Sequence, residues 1–359
     1  MCPGKKRLWP FAAVLVGAVL AMPSSAVAAN GTWGATANMA AVHDNLTLTT
    51  LDDGRVLAAG GTSAEVYDPA SGTWSPAGTL SHERSDHFAV RLADGRVLIA
   101  GGDAVCCWSY DASAEIFDPA TGTWTPTGSM ALGRGNATGT LLRDGRVLAV
   151  GGNASGTITA TAELYDPSTG RWSPAASMKV PRWRHTATLL SDGTVLVAGG
   201  MNSGWPQGAE RYNPATNKWS SAGTMSTGRA DATATRLLDG RVLVAGGDNP
   251  GGLASAELYD PAANRWTVTG SLSRARAGRA VRLADGRVLV NGGGWYAEVY
   301  SPATGTWTPT GNNVYGDTDG ALALLGDGRA LAAGGGFLEC DNEGGCWFIY
   351  VTNAEVYTP

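Results

Sequence analysis

Residues 239–247 read DGRVLVAGG, and close variants of that phrase begin at Asp53, Asp94, Asp144, Asp192, Asp285 and Asp327. Six intervals separate Gly60 from Gly334, a mean period of about 46 residues, and a repeat of that size signals a propeller or a solenoid. The residues around the phrase decide between them. Residues 182–200, RWRHTATLLSDGTVLVAGG, alternate apolar and small polar side chains, turn at Asp192-Gly193 and run apolar into a glycine pair. Asp-Gly between two such runs predicts a β-hairpin, with a type I′ turn that needs positive φ at both central positions. Residues 209–219, AERYNPATNKW, then supply a strand, a proline turn and a further strand carrying Trp219. No repeat holds a helical apolar period long enough for a helix. The fold class is therefore all-β, with four antiparallel strands per repeat, as in the blade of a propeller.

The start of the chain stands apart. Lys5, Lys6 and Arg7 precede an apolar run from Leu8 to Met22 and the small residues Ala26-Val27-Ala28. That is the pattern of a secretory signal peptide, too short to cross a bilayer comfortably. The expected organisation is a signal over 1–28 and a single propeller over 29–359, secreted and extracellular. Blades are expected at about 40–80, 81–130, 131–178, 179–225, 226–272, 273–312 and 313–359. No tryptophan strand follows Glu355, whereas residues 31–39, GTWGATANM, match GTWTPTGSM at 122–130. Residues 30–39 are thus expected to complete blade 7 and close the ring, leaving no open sheet edge at the seam.

The pattern Arg182-x-x-His185, Gly199-Gly200, Glu210-x-Tyr212 and Trp219 resembles the kelch repeat, in the bacterial form similar to the central domain of galactose oxidase. The resemblance covers residues 29–359 and implies a seven-bladed kelch-type β-propeller. It leaves the activity open, because propellers host binding and catalysis alike. Similarity to galactose oxidase implies, for a copper radical oxidase, a Tyr-His dipeptide, a tyrosine joined to cysteine by a thioether, and a histidine from a further C-terminal domain. Here no Tyr-His occurs, and the only histidines are His43, His82, His87 and His185. No metal or other cofactor is expected.

A residue present in every copy answers a need that arises in every copy. Leu51, Leu92, Leu142, Leu190, Leu237, Leu283 and Leu325 precede the turns, and Trp33, Trp74, Trp124, Trp172, Trp219, Trp266 and Trp307 mark the outer strands. Both sets read as packing between blades. The glutamates Glu65, Glu115, Glu163, Glu210, Glu257, Glu298 and Glu355 cannot share one catalytic centre and read as hydrogen-bonding elements of each blade.

Variation marks the residues left over. If the strands of a blade, a to d from the axis outward, alternate in direction, the b-to-c and d-to-a loops share one face, and binding residues concentrate on such loops. The longest b-to-c loops, after Gly102 and Gly335, hold Cys106, Cys107, Cys340 and Cys346 beside Trp108, Tyr110, Phe337, Trp347 and Phe348. In an oxidising compartment these cysteines read as disulfides. Cys340 with Cys346 and a vicinal Cys106–Cys107 bridge is one pairing, and bridges between the two loops are another. The aromatics read as a packing cluster or as a stacking platform for sugar rings. At the start of each inner strand stand His43 and Asn45, Arg84 and Asp86, Arg134 and Asn136, Arg182 and Arg184, Arg229 and Asp231, Ala275 and Ala277, and Asp317 and Asp319. A period of two points both members of each pair the same way, and in kelch propellers such positions sit near the channel mouth. The arginines suit bidentate capture of an anion, unless the aspartates neutralise them in a ring of ion pairs.

The net charge is −5, or about −8 once Lys5, Lys6 and Arg7 are removed. Such a body disfavours nucleic acid and anionic membranes. The expected function is that of a secreted, monomeric, non-catalytic protein holding a glycan, an acidic small molecule or a protein partner. The alternatives are a sugar-modifying, epimerase-like enzyme using Asp86, Asp231 and Asp319, and a degenerate copper oxidase.

Overall fold

The computed structural model describes residues 31–43, 45–104, 109–292, 294–315, 320–340 and 346–359, without the side chains of Ala104, Ser109 and residues 337–340 and 346–348. Among the described residues there is no helix, and the strands form a seven-bladed propeller whose blades are six four-stranded sheets and one three-stranded sheet. Blade 4 shows the plan: strand a is Trp183–Leu189, b is Val195–Met201, c is Gly208–Asn213 and d is Lys218–Thr224, paired antiparallel in that order. The a strands of successive blades lie side by side around the axis. In blade 1 the b-to-c loop is so short that both strands merge into one run, Val56–Asp68, flanked by Thr47–Thr50 and Thr73–Arg84.

The Asp-Gly turns differ from the expected type. At each, only the glycine has positive φ, as at Gly193 (φ 86°), and its N–H donates to the leucine three residues back. This is a type I turn followed by a left-handed glycine, the three-residue hairpin loop. The aspartate instead accepts from the backbone N–H two residues on, as Asp192 does from Thr194 at 3.0 Å, which an aspartate in a right-handed conformation does without strain.

The core is divided among the interfaces. Seven clusters of buried apolar side chains each draw on two neighbouring blades, as Leu142, Val150 and Met178 of one side meet Val195, Val197 and Tyr212 of the other. The seven repeated leucines are all buried. Each repeated tryptophan packs on the strand-c aromatic of its own blade, with ring centroids 5.0–5.3 Å apart. Its indole N–H reaches back to the preceding blade, for example Trp172 to Gly128 O at 2.8 Å and Trp219 to Ala176 O at 2.7 Å.

The seam repeats the same contacts. Thr32–Ala35 pairs with Ala354–Thr358 as the fourth strand of blade 7, setting Trp33 opposite Tyr357, and the Trp33 N–H donates to Thr310 Oγ1 at 3.1 Å. Trp74 of blade 1 in turn donates to Ala37 O at 2.8 Å. Trp33→Ala should therefore cost about 2–4 kcal/mol of unfolding free energy in urea titration, the scale of deleting a part-buried aromatic.

Candidate functional site

Arg84, Arg134, Arg182 and Arg229 were expected to face the channel, and the structure corrects this: all four are fully buried within their blades. Each guanidinium is bound to the carbonyl of the first glycine of the pair, at 2.7–3.0 Å. Each also pairs with the strand-c glutamate, at 3.1 Å for Glu115 and Glu210, 2.7 Å for Glu163 and 3.2 Å for Glu257. Burial pulls the guanidinium of Arg134, Arg182 and Arg229 below its usual pKa, and the glutamate opposes that pull. The glutamate's other oxygen holds the chain entering its blade, as Glu163 does with the N–H of Ala131 at 2.7 Å. His43 fills the same slot in blade 1, reaching Gly60 O and Glu65 at 3.1 Å each. In blade 6 the slot belongs to Arg276, paired with Glu298 at 2.7 Å, and not to Ala275. Counting back from the turn aspartate missed it by one residue; the strand-c glutamate Glu298, which needs a buried partner, was the available signal.

These are scaffold groups, and their loss should show as stability. Arg182→Met or Glu210→Gln leaves a buried charge or its partner unmatched and should cost about 3–5 kcal/mol in chemical denaturation. A solvent-facing anion site would leave the unfolding midpoint almost unchanged.

The histidines are also structural. His87 and His185 are buried and bridge blades through Thr47 Oγ1 (3.0 Å) and Thr138 Oγ1 (2.9 Å). Burial first, then the charge of Arg84 or Arg182, lowers each from 6.5 to about 3. The folded pKa lies below the unfolded one, so the unfolded chain binds more protons between these values. The stabilisation is complete above pH 6.5 and is lost as pH falls toward 3. Each histidine should contribute a slope of about 1.4 kcal/mol per pH unit in that window, and a His87→Gln, His185→Gln double variant should flatten the stability profile measured by denaturant titration across it.

The second member of each pair behaves differently. Asn45, Asp86, Asn136, Arg184 and Asp231 all adopt left-handed backbone, with φ between 43° and 53°. That kink breaks the period of two, which is why these residues face the channel while the arginines two positions earlier are enclosed. At three of them it also turns the N–H along the ring. Asn136 donates to Asp86 O at 2.9 Å, Arg184 to Asn136 O at 3.1 Å and Asp231 to Arg184 O at 3.0 Å, linking four successive blades. Asparagine and aspartate tolerate this conformation; arginine does so at a cost of order 1 kcal/mol. Arg184 is nevertheless held there, its guanidinium 4.7 Å over the Trp183 ring and 3.1 Å from Asp231.

These residues surround a cavity of about 350 Å³ at the channel mouth, which Thr47 and Arg279 also line. Tyr110 lies close by, against Gly135, and its phenol pKa is raised by burial and by the charges of Asp103 and Asp86. Asp317, Asp319, Trp108, Cys106 and Cys107 lie outside the described residues, as do the side chains of Phe337, Cys340, Cys346, Trp347 and Phe348. The backbone of the long blade 7 loop forms a hairpin, Gly336–Cys340 with Cys346–Tyr350, whose register sets Cys340 opposite Cys346. Sequence reading passed over Trp295 and Tyr296, which are 52% and 39% exposed in the short blade 6 loop, with Arg274 stacked 4.0 Å over Tyr296. Their adjacency after three glycines was the available signal.

A family model of the Kelch motif matches residues 85–131, 137–179, 182–226 and 233–273. These fall in blades 2 to 5, the blades in which the arginine and the glycine carbonyl it binds stand 17 residues apart. The protein is a kelch-repeat β-propeller. No curated protein sequence matches this kelch chain. Among solved structures, a fungal alcohol oxidase of the AA5 family, in complex with copper, is similar with a TM-score of 0.73 at 19% identity, over 92% of this chain and 76% of that one. YjhT is similar with a TM-score of 0.62 at 15% identity, over 76% of this chain and 99% of that one.

The likeness to a copper protein raises the question of whether the described residues of this propeller fit copper, and those residues do not. His43 has both ring nitrogens engaged within its blade, and His87 and His185 bond separate threonines on separate blades. Among the described residues no group of three or more histidine, cysteine, aspartate or glutamate side chains is placed to hold a metal ion.

Proposed function

We propose that this propeller is an exported, non-catalytic binding protein that holds a polyhydroxylated ligand, a glycan, in the channel mouth. The observation that carries this reading is the run of five consecutive blades presenting Asn45, Asp86, Asn136, Arg184 and Asp231 around one cavity. Carboxylates, amides and a guanidinium together accept from and donate to paired hydroxyls, and the opposed charges of Arg184 and Asp231 favour a neutral ligand over an acidic one. Strain retained at Arg184 supports the same view, since an asparagine there would relieve it and keep the backbone ring. Export rests on the signal-like residues 1–28; among the described residues no helix is long and apolar enough to cross a membrane.

A neutral oligosaccharide array probed with the mature protein tests the reading. Arg184→Ala should weaken retention about tenfold or more, the loss of a charge-assisted hydrogen bond, with the unfolding midpoint maintained. Retention equal to that of the parent, or no retained glycan at all, would remove the mouth as the binding site.

A further inference from the structure

Outside residues 1–28 the chain has two lysines, Lys179 and Lys218, and both line one groove on the outer part of blade 4. The groove has a volume of about 550 Å³, a size typical of small-ligand sites. Its floor is apolar, formed by Trp219, Ala176, Ala209 and Val180. Trp219 commits its indole N–H to Ala176 O at 2.7 Å, so what it offers a ligand is ring surface. The acid in the lining is Glu210, which is matched by buried Arg182 at 3.1 Å and accepts from the backbone of Lys179 and Val180. The groove's unmatched charge is therefore the two exposed ammonium groups, in a chain whose net charge is −5.

Their common placement follows from the way blade 4 is held together. Lys218 opens strand d, while Lys179 is tied at its backbone to Glu210, which lies across from Ser221, three residues further along. Both stems thus rise from the same stretch of blade 4 and line one groove. The scaffold does not call for this pair. Blade 3 has Arg171 but Ala131 at these positions, and blade 5 has Arg265 but Ser226.

We propose that this groove binds an acidic sugar chain, one whose residues carry carboxylates. Sugar C–H faces cover the apolar floor and the indole, the carboxylates meet the two ammonium groups, and the hydroxyls find Ser177 and Ser220 on the rim. An acidic peptide supplies the charge without the ring faces, which is why the floor favours the glycan. The site is separate from the channel mouth and does not rest on it.

Binding of oligogalacturonate to the mature protein, measured by titration calorimetry beside neutral galactan and polyglutamate, tests the proposal. Wild type should bind oligogalacturonate, and more weakly as salt is raised. The Lys179→Ala, Lys218→Ala double variant should lose about tenfold or more, a Lys→Arg pair at the same positions should retain binding, and Arg184→Ala should bind as wild type does. Both lysines are exposed, so the double variant should keep the parent's unfolding midpoint. The proposal fails if wild type does not bind oligogalacturonate, if the double variant binds it undiminished, or if polyglutamate binds as tightly. Loss on Arg184→Ala alone would move the acidic glycan to the mouth and also overturn it.

Discussion

Blades 2 to 6 are each organised by one buried ion pair. The guanidinium of Arg182 joins Gly199 O of strand b, Gly208 O of strand c and the Glu210 carboxylate. That carboxylate holds the backbone N–H groups of Lys179 and Val180, where the chain enters the blade. Three segments remote in sequence are thereby fixed to one charge. Desolvating both partners offsets much of the attraction, so the pair is not a large net source of stability. What it imposes is geometry, since one guanidinium holds strand b, strand c and the glutamate together.

The glycine pair follows from the same clamp. Gly200 N–H donates to Arg229 O of the next blade at 2.8 Å, and a side-chain carbon on Gly199 would collide with that same carbonyl. Positive φ at both glycines lets the end of strand b pass directly against the backbone of the neighbouring blade. The arginine backbone thus serves one interface while its side chain serves its own blade. Neither is useful alone, because each apolar cluster needs two blades to enclose it, and only a closed ring supplies a neighbour to every face. This is why Trp33 of Thr32–Ala35 and Tyr357 of Ala354–Thr358 repeat the contact made inside every other blade.

How far the sequence was legible depended on whether a residue recurs. Period, strands, seam and the packing role of leucine and tryptophan all follow from repetition, because a pattern of twos and a turn glycine are local properties. The direction of Arg84 and Asp86 was not legible. It depends on one left-handed residue between the buried clamp and the inner strand, and alternation holds only for unbroken extended backbone. The turn type was misread because Asp-Gly suits two hairpin geometries and the dipeptide alone does not distinguish them. Arg276 was hidden by a single-residue change in spacing, which a count from the turn cannot detect but a pairing requirement from Glu298 can.

Kelch scaffolding therefore also says where to look for function: at positions where the copies disagree although the backbone does not. Asn136 and Arg184 occupy equivalent kinks with φ of 52° and 53°, so the fold is indifferent to which stands there, except that arginine bears the greater strain. Ser81, Ala131 and Lys179 likewise follow equivalent strands, and each donates its backbone N–H to the glutamate of its blade. The side chain is then released from any duty to the ring. A charge kept at such a position, against conformational strain at the mouth or beside an apolar floor on the outer wall, answers to something other than the propeller's own assembly.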